Sequence, residues 1–299
     1  VSGMREQVAL EVKEGEARVT AKPWPEASSF LGRVFAARTE PAAGPREWKT
    51  QQAGYDEAVR LGLDEQLASD PRVLLIGEDI GGRYGGAFGV TRQLAKKHGA
   101  ERVFNAPLAE GAIVGCGVGA AIAGKRPIVE MQFADFLACG FNALVNNAAK
   151  IHWRWGRSVP LVVRLPYGGA TGTMNMMLGG GPFHSQCPEA WFMRTPGWKI
   201  VAPSTPTDAK GLLAAAVRDG NPVIYLEAKG LYSLFRKDLR EEVPVGADFE
   251  VPIGKAVVRR AGAHVSCITY GAMVWTALQA AGELAREGIE LEVVDVRTL

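Results

Sequence analysis

A strand–helix–strand pattern decides the fold class, and it is carried by residues 198–227, WKIVAPSTPTDAKGLLAAAVRDGNPVIYLE. WKIVAPS contains a short apolar strand, and its last residue Ser204 and the following Thr205 are of types that commonly begin a helix. Helical sequence continues over residues 206–220, and NPVIYLE is a second apolar strand. Two strands joined through a helix are expected to lie parallel in one sheet.

The same alternation of strands and helices runs through most of the chain. Further strands are predicted in RVLLIGED (72–79), RPIVEMQF (126–133) and VPLVVRLP (159–166), with helices over 52–69 and roughly 137–152. Strands that are apolar along their whole length are typical of a sheet buried on both faces. We therefore predict an α/β fold with a parallel sheet and helices on both faces.

Three regions are expected along the chain. Residues 1–50 combine a charged helix with a linker over 39–49 that is rich in Pro, Gly and Ala. Residues 51–245 form the main α/β domain. Residues 246–299 contain another strand–helix–strand unit, and they are expected to begin a second α/β domain that the end of the chain truncates.

Composition excludes several classes of protein. The chain has 299 residues and a net charge of +2, which argues against nucleic acid as a partner, although KIHWRWGR (150–157) interleaves Trp and basic residues. We interpret that stretch as a helix end that faces solvent or a partner subunit. The four cysteines form no C-x-x-C pair, so buried free thiols in a reducing, cytoplasmic setting are expected. No apolar run reaches the roughly 18 residues of a membrane span.

Residues 106–124, APLAEGAIVGCGVGAAIAG, allow two interpretations. Gly115, Gly117 and Ala120 fit the G-x-G-x-x-A fingerprint of a dinucleotide-binding loop, and Asp135 is placed where the ribose-binding acid would lie. That fingerprint needs a strand ending at its first glycine, whereas PLAEGAIV is compatible with a helix. A nicotinamide-dependent oxidoreductase therefore remains an alternative from another functional class.

The second interpretation is a closely packed helix. Small residues recur at positions 111, 115, 119 and 123, and this spacing forms one stripe along a helix that another backbone can approach closely. Glu110 then lies near the start of a buried helix. A plain N-terminal charge is the simplest role for such a residue, but apolar neighbours favour a carboxylate with a specific partner.

Five motifs in order connect these features to a known family. They are RVFNAPLAEGAIVG (102–115), GKRPIVEMQFADF (124–136), FHSQCPEAWF (183–192), VAPSTPTDAKGLLAAAVRDGNPVIYLE (201–227) and VPIGKA (251–256). Together they resemble the beta subunit of the thiamine-diphosphate-dependent 2-oxo acid dehydrogenase component, over about residues 52–299. VFNAPLAE, MQFADF and HSQCPEA are more similar to the branched-chain branch than to the pyruvate branch. The resemblance implies a transketolase-like pyrimidine-binding domain followed by a transketolase C-terminal domain.

Residues 4–38 resemble, more weakly, the C-terminal end of the alpha subunit of the same component. This resemblance implies a piece of a fused alpha–beta chain, joined at residues 39–49. The partners it implies are an alpha half, a second beta half in a heterotetramer, and the lipoyl domain of the acyltransferase component. No membrane partner is expected.

The resemblance also assigns roles to individual residues. Glu110 matches the glutamate that hydrogen-bonds a ring nitrogen of the cofactor's aminopyrimidine, and Phe136 matches the aromatic residue that packs on that ring; otherwise Phe136 is an ordinary core residue. Leu108 and Gln132 match positions next to the cofactor. His184 matches the histidine at the mouth of the site that assists acyl transfer to lipoamide, and the loop between Tyr167 and His184 is longer than the family's usual one.

Metal sites are expected from the same resemblance. The resemblance implies that magnesium and the diphosphate are bound by the alpha half, and no G-D-G motif with a distant Asn is found here. Ala216, Asp219 and Asn221 match positions that bind a monovalent cation, such as potassium, in relatives; a plain helix C-terminus with Gly220 in a turn is the alternative.

The predicted function is oxidative decarboxylation of a 2-oxo acid, most simply a branched-chain one, with acyl transfer to lipoyl-lysine. Within the family, a pyruvate or acetoin enzyme is the alternative. A non-catalytic assembly domain is a further one, and it would tolerate the loss of both Glu110 and His184.

Overall fold

The computed structural model describes residues 2–37, 47–169, 180–234 and 239–299. Its strands are β1 (Thr50–Ala53), β2 (Val73–Gly77), β3 (Val103–Asn105), β4 (Arg126–Glu130), β5 (Val162–Tyr167), β6 (Lys199–Val201), β7 (Val223–Ala228), β8 (Glu241–Pro244), β9 (Val257–Arg260), β10 (Val265–Thr269) and β11 (Leu291–Asp295). Its α-helices are α1 (Ser2–Thr20), α2 (Ala27–Leu31), α3 (Tyr55–Ser69), α4 (Leu94–His98), α5 (Glu110–Ile122), α6 (Ile151–Trp155), α7 (Glu189–Met193), α8 (Pro206–Arg218), α9 (Lys229–Leu234) and α10 (Met273–Arg286).

A six-stranded parallel sheet forms the centre of the main domain, in the order β3-β2-β4-β5-β7-β6. Every residue of β5 and β7 is buried, so helices and loops cover both faces of the sheet. This confirms the predicted fold class and the strand–helix–strand unit of residues 198–227.

Helices α3 and α8 pack against each other beside this sheet. A Cβ added to Gly62 would lie 3.1 Å from Leu213 Cδ2, so the absence of a side chain lets the two helices approach closely. Of the two residues predicted to begin α8, Thr205 is the N-cap, since its hydroxyl accepts from the Asp208 amide at 3.2 Å. Ser204 instead donates to Asp295 Oδ2 at 2.6 Å.

The helix predicted over roughly 137–152 is divided into shorter pieces. A 3-10 helix spans Ala134–Gly140, a π-helix spans Ala143–Ala148, and α6 follows. A Cβ on Gly140 would lie 2.9 Å from Val114 Cγ2, so this segment passes very close to α5. The close approach requires a local change of winding, which a periodic apolar pattern does not report.

The first region of the chain meets the main domain through a short contact. Helix α1 has no buried residue, whereas Val34 and Ala36 are buried. Asn221 pairs with the backbone of Ala36, since its Oδ1 accepts from the Ala36 N–H at 2.6 Å and its Nδ2 donates to the Ala36 carbonyl at 3.1 Å. Of the predicted linker, residues 39–46 lie outside the described part; Trp48 packs against Phe249, with ring centroids 5.7 Å apart.

The second domain contains α10 and a three-stranded sheet in the order β10-β11-β9. Two arginines connect it to the main domain, since Arg259 pairs with Asp208 and Asp295, and Arg297 Nη1 lies 3.0 Å from Asp208 Oδ1. The Leu299 amide also donates to the Ile200 carbonyl at 3.0 Å. The domain boundary at 245/246 stays a prediction.

Two sequence expectations concern the cysteines and the membrane. All four cysteines are free, as predicted, but Cys116, Cys139 and Cys187 are exposed and Cys267 is partly buried, so the expectation of buried thiols is wrong. Within the described residues, no helix combines the length and the apolar character needed to cross a bilayer.

Candidate active site

Several polar residues, among them the predicted Gln132, lie at the carboxyl ends of the central strands. Glu78 and Asp79 follow β2, Gln132 follows β4, Gly168 follows β5, and Lys229 follows β7. In open α/β sheets this edge is where ligands bind, because the connecting loops diverge there and leave a crevice.

Glu110 is the first residue of α5 and is partly buried. The preceding amide, that of Ala109, donates to Glu78 Oε1 at 3.1 Å. Burial raises the pKa of the Glu78 carboxyl, and the nearby charge of Glu110 raises it further. Two carboxylates therefore face one another across the start of this helix. Among the described residues, no cation or hydrogen-bond donor pairs with Glu110.

Glu78 was not selected from the sequence. A signal for it was present, because the apolar strand in RVLLIGED ends in two acidic residues, Glu78 and Asp79. Acidic side chains at the carboxyl end of a buried parallel strand point toward the edge where sites form. The long-range pairing with Glu110 is a property of the fold and is not visible in either local sequence.

The glycine-rich stretch is an α-helix from Glu110 to Ile122, and the dinucleotide fingerprint is therefore wrong. Gly115 and Ala120 lie inside α5, and no strand ends at Gly115 in the fully described stretch 106–124. Gly117 packs on the sheet, since a Cβ there would lie 2.6 Å from Val129 Cγ1. Of the predicted stripe of small residues, Gly111 packs against the chain, since a Cβ there would lie 3.0 Å from the Cys139 carbonyl oxygen, whereas nothing described lies within 4 Å of a Cβ on Gly115 or Gly119.

An aromatic cluster forms the other side of the site. The rings of Phe136 and His184, predicted separately, lie 5.4 Å apart and nearly perpendicular. Phe133 lies between them and the core, with its centroid 4.6 Å from His184 and 5.6 Å from Phe136. Sequence reasoning missed Phe133, although it belongs to the quoted motif MQFADF. The edge-to-face arrangement stabilises the cluster and leaves aromatic surface beside the site.

The segment that carries His184 is hydrogen-bonded to residues that follow three strands, β4, β5 and β7. The Lys229 ammonium donates to the His184 carbonyl oxygen, and it lies 3.4 Å from Ser185 Oγ. The Gln186 amide donates to Asp135 Oδ2 at 3.3 Å, and the Gly168 amide donates to the Gln186 carbonyl at 3.1 Å. Most of the long Gly/Met loop before His184, residues 170–179, lies outside the described residues.

The two remaining predicted neighbours of the cofactor, Gln132 and Leu108, differ in how far they are exposed to solvent. Gln132 is partly buried, and its Nε2 donates to Asp79 Oδ2 at 3.2 Å, which places it beside the Glu78 region. Leu108 is 81% exposed, so its side chain is open to a ligand or to another chain.

A buried charge network lies beneath the site. Arg164 contacts both Glu130 and Glu227, with 2.9 Å between Arg164 Nη2 and Glu227 Oε2. The hydroxyl of Tyr232 donates to the same Glu227 oxygen at 2.7 Å. Burial raises the pKa of Glu130, although the Arg164 charge opposes this shift. Gly86, at φ +78°, brings the β2–α4 loop onto this network, since a Cβ there would lie 2.4 Å from Glu130 Oε1.

The predicted cation-binding residues are brought together after α8. Asp219 Oδ1 accepts from the Asn221 side chain at 2.6 Å, and the Asp219 amide lies 3.3 Å from the Ala216 carbonyl. However, the Lys199 ammonium lies 2.7 Å from Asp219 Oδ2 and already neutralises that carboxylate. A monovalent cation here stays a prediction.

The residues present fit a flat, nitrogen-bearing ring. Glu110 offers a carboxylate that no described side chain occupies, and Phe136 offers an aromatic face to pack on. Asp135 Oδ1 is also buried without a hydrogen-bond partner. Such a combination of apolar wall and few polar groups is typical of a small-molecule site.

Comparisons with known proteins agree with this geometry. Residues 51–233 match the family "Transketolase, pyrimidine binding domain", and residues 254–299 match "Transketolase, C-terminal domain". Among solved structures, a split-gene transketolase in an inactive beta4 tetramer has a TM-score of 0.62 at 22% identity, covering 83% of this chain and 73% of that one. At that identity the likeness shows the fold.

Three curated relatives are more similar in sequence. The 2-oxoisovalerate dehydrogenase subunit beta of Bacillus subtilis is 49% identical, over 82% of this chain and 72% of its own. The acetoin:2,6-dichlorophenolindophenol oxidoreductase subunit beta of Cupriavidus necator is 43% identical, over 81% and 71%. The bovine mitochondrial pyruvate dehydrogenase E1 component subunit beta is 40% identical, over 93% and 73%. The chain therefore belongs to the transketolase-type pyrimidine-binding family and, within it, to the beta subunits of thiamine-diphosphate-dependent 2-oxo acid dehydrogenase components.

Proposed function

We propose that this chain contributes the pyrimidine-side half of a thiamine-diphosphate site in an enzyme that decarboxylates a 2-oxo acid. The observation that supports this most strongly is the position of Glu110, at the start of α5 and unpaired among the described residues, opposite Glu78. A partly buried carboxylate without a partner among the described residues can share a proton with a ring nitrogen of a bound group.

Each predicted residue has a role in the proposal. Glu110 holds the proton at a ring nitrogen of the cofactor, and Phe136 packs on the ring face, with Leu108 and Gln132 as further neighbours. When bound, thiamine diphosphate supplies the electron sink for decarboxylation. His184 stands at the opening and moves a proton during acyl transfer to lipoyl-lysine, a task for which imidazole is suited because one ring nitrogen can donate a proton while the other accepts one.

The proposed substrate is a branched-chain 2-oxo acid. The support is the 49% identity to a 2-oxoisovalerate dehydrogenase subunit beta, against 43% and 40% for the acetoin and pyruvate relatives. Steady-state rates with 2-oxoisovalerate, pyruvate and acetoin distinguish these candidates, and we expect the highest kcat/KM with 2-oxoisovalerate. A higher value with pyruvate or acetoin would assign the chain to that branch instead.

The proposed assembly contains other halves of the site. We infer that an alpha half supplies the magnesium and diphosphate ligands, that a second beta half completes a heterotetramer, and that a lipoyl domain receives the acyl group. Potassium at Ala216, Asp219 and Asn221 is part of the proposal, as are cytoplasmic location and the absence of nucleic-acid and membrane partners.

The test of the proposed function is Glu110→Gln in the complete enzyme with its alpha half. Glutamine keeps the size of the side chain but cannot share a proton as a carboxylate does. We expect cofactor-dependent decarboxylation to fall by about 100-fold or more, in the range that one positioned proton-transfer group contributes. Glu101→Gln, at an exposed position in the α4–β3 turn, is the matched control and should keep the wild-type rate. A near wild-type rate for Glu110→Gln would refute the proposal.

A further inference from the structure

Lys229 is a buried lysine that faces the site and that the proposed reaction does not yet use. It follows β7 directly and is 1% exposed. Its ammonium donates to the His184 carbonyl oxygen, lies 3.4 Å from Ser185 Oγ, and lies 5.3 Å from the centroid of the Phe133 ring. Burial lowers the pKa of Lys229, because the cation gives up water for these partners.

The hydrogen-bond acceptors that the Lys229 ammonium contacts are neutral, and the negative charge of nearby Asp135 favours the charged form of the lysine without a direct contact between the two side chains. Burying an ammonium is costly, and buried charges are normally paired with an opposite charge. Lys210, by contrast, is also 1% exposed, but its ammonium lies 2.8 Å from Glu65 Oε2. The Lys229 ammonium instead contacts the main-chain carbonyl of His184 and the side-chain hydroxyl of Ser185.

Phe133 connects the cation to the His184 ring. The imidazole packs edge-on at 4.6 Å from the Phe133 centroid, and the Lys229 ammonium lies near the same ring. Lys229 therefore contacts the main chain of His184 directly, and it also contacts the Phe133 ring on which the His184 imidazole packs.

We propose that Lys229 is a positioning residue, which anchors the His184 segment to the end of β7 so that the imidazole stands at the site opening. This inference rests on the proposed function for the role of His184. The anchoring itself is a property of this chain alone and can be tested without any activity.

The first experiment measures anchoring by amide hydrogen exchange in the complete enzyme. Lys229→Met keeps the length of the side chain and removes the ammonium, and Lys210→Met is the control for loss of a buried lysine. We expect exchange in residues 183–187 to become at least about 10-fold faster in Lys229→Met and to stay unchanged in Lys210→Met. Unchanged exchange in Lys229→Met overturns the proposal, whatever the enzyme catalyses.

The second experiment separates two steps of the proposed reaction. Decarboxylation is followed with an artificial electron acceptor, and acyl transfer is followed as reductive acylation of a lipoyl domain. We expect Lys229→Met to slow acyl transfer by about 10- to 100-fold, because a displacement near 1 Å has such an effect, while decarboxylation stays within about 3-fold. Lys229→Arg should restore part of the lost rate, since it keeps a cation at the same place.

A double-mutant cycle distinguishes positioning from general damage. Adding Lys229→Met to His184→Ala should slow acyl transfer no further, because the lysine acts through the histidine. Additive losses, or equal losses in both steps, overturn the positioning role. If wild-type enzyme shows no thiamine-dependent decarboxylation, or if His184→Ala transfers acyl groups normally, the proposed function fails instead, and the exchange result alone decides the anchoring.

Discussion

Two groups of carboxylates lie at the same edge of the sheet and have opposite electrostatic settings. Glu130 and Glu227 are almost completely buried, and Arg164 and Tyr232 satisfy them within the chain. Glu78 accepts one amide hydrogen bond and otherwise faces the charge of Glu110. The first group holds a cation and a hydroxyl donor within the chain, whereas the second lacks a counter-charge.

This difference separates structural from functional carboxylates. A buried ion pair favours the one arrangement of the core in which both charges have their partners. Such a network therefore contributes conformational specificity. Two carboxylates set against each other cost stability, and a protein retains such an arrangement where a bound group compensates it. The contrast can be tested by removing one member at a time.

Removal of Arg164 should give the largest effect on stability. Arg164→Met leaves Glu130 and Glu227 buried without their cation, and we expect the free energy of unfolding to fall by about 3–5 kcal/mol. Urea denaturation followed by circular dichroism measures it. The control is Arg72→Met, at a pair whose arginine is 55% exposed, where the loss should stay within about 1 kcal/mol. Equal losses in both variants would show that the network contributes no more than a surface pair.

Removal of the Tyr232 hydroxyl tests how much its hydrogen bond to Glu227 contributes to the stability of the same network. Tyr232→Phe removes only the donor that lies 2.7 Å from Glu227 Oε2, and we expect a loss of about 1–3 kcal/mol, because that oxygen then keeps only Arg164. Unfolding midpoints of the two proteins in urea provide the measurement. Tyr84→Phe, at an exposed tyrosine, is the matched control and should change little. A Tyr232→Phe variant as stable as wild type would mean that water or Arg164 replaces the hydroxyl.

The sheet was predictable from sequence because its strands are short, wholly apolar and separated by helix signals. β7 and α8 follow the predicted stretches, and Thr205 caps α8 as its residue type indicates. These features depend on neighbours within a few positions. The division of the segment after β4 into 3-10 and π-helical pieces depends instead on Gly140 passing close to α5, a contact between distant parts of the chain.

The site was predictable only in part, for the same physical reason. Motif resemblance pointed to Phe136 and His184 separately, and the structure brings their rings together at 5.4 Å. Phe133, Glu78 and Lys229 were not selected, because each gains its importance from a residue far away in sequence. A single lysine or glutamate is not part of a periodic sequence pattern, so the sequence does not indicate which distant residue it will contact.

Neutralising Glu78 should have the smallest effect on the free energy of unfolding, and it should raise this free energy rather than lower it. Its folded-state pKa is raised above the ordinary value of 4.5, so the stability it provides is fully present below pH 4.5 and is lost as pH rises through the folded-state pKa. Glu78→Gln keeps an acceptor for the Ala109 amide and removes the charge that faces Glu110. We therefore expect the variant to be more stable than wild type at pH 7, by about 1 kcal/mol, and no more stable at pH 4.

Urea midpoints at the two pH values measure this difference. Glu242→Gln is the contrasting control, because hydrogen bonds from Thr50 and Gln52 lower the pKa of Glu242, so that its charge helps rather than harms the folded state. That variant should therefore gain no stability at pH 7. If Glu78→Gln is instead less stable than wild type at pH 7, the Glu78 charge is compensated in the folded protein. The distinction between the carboxylates paired with Arg164 and the facing carboxylates Glu78 and Glu110 would then not hold, because both groups would stabilise the fold.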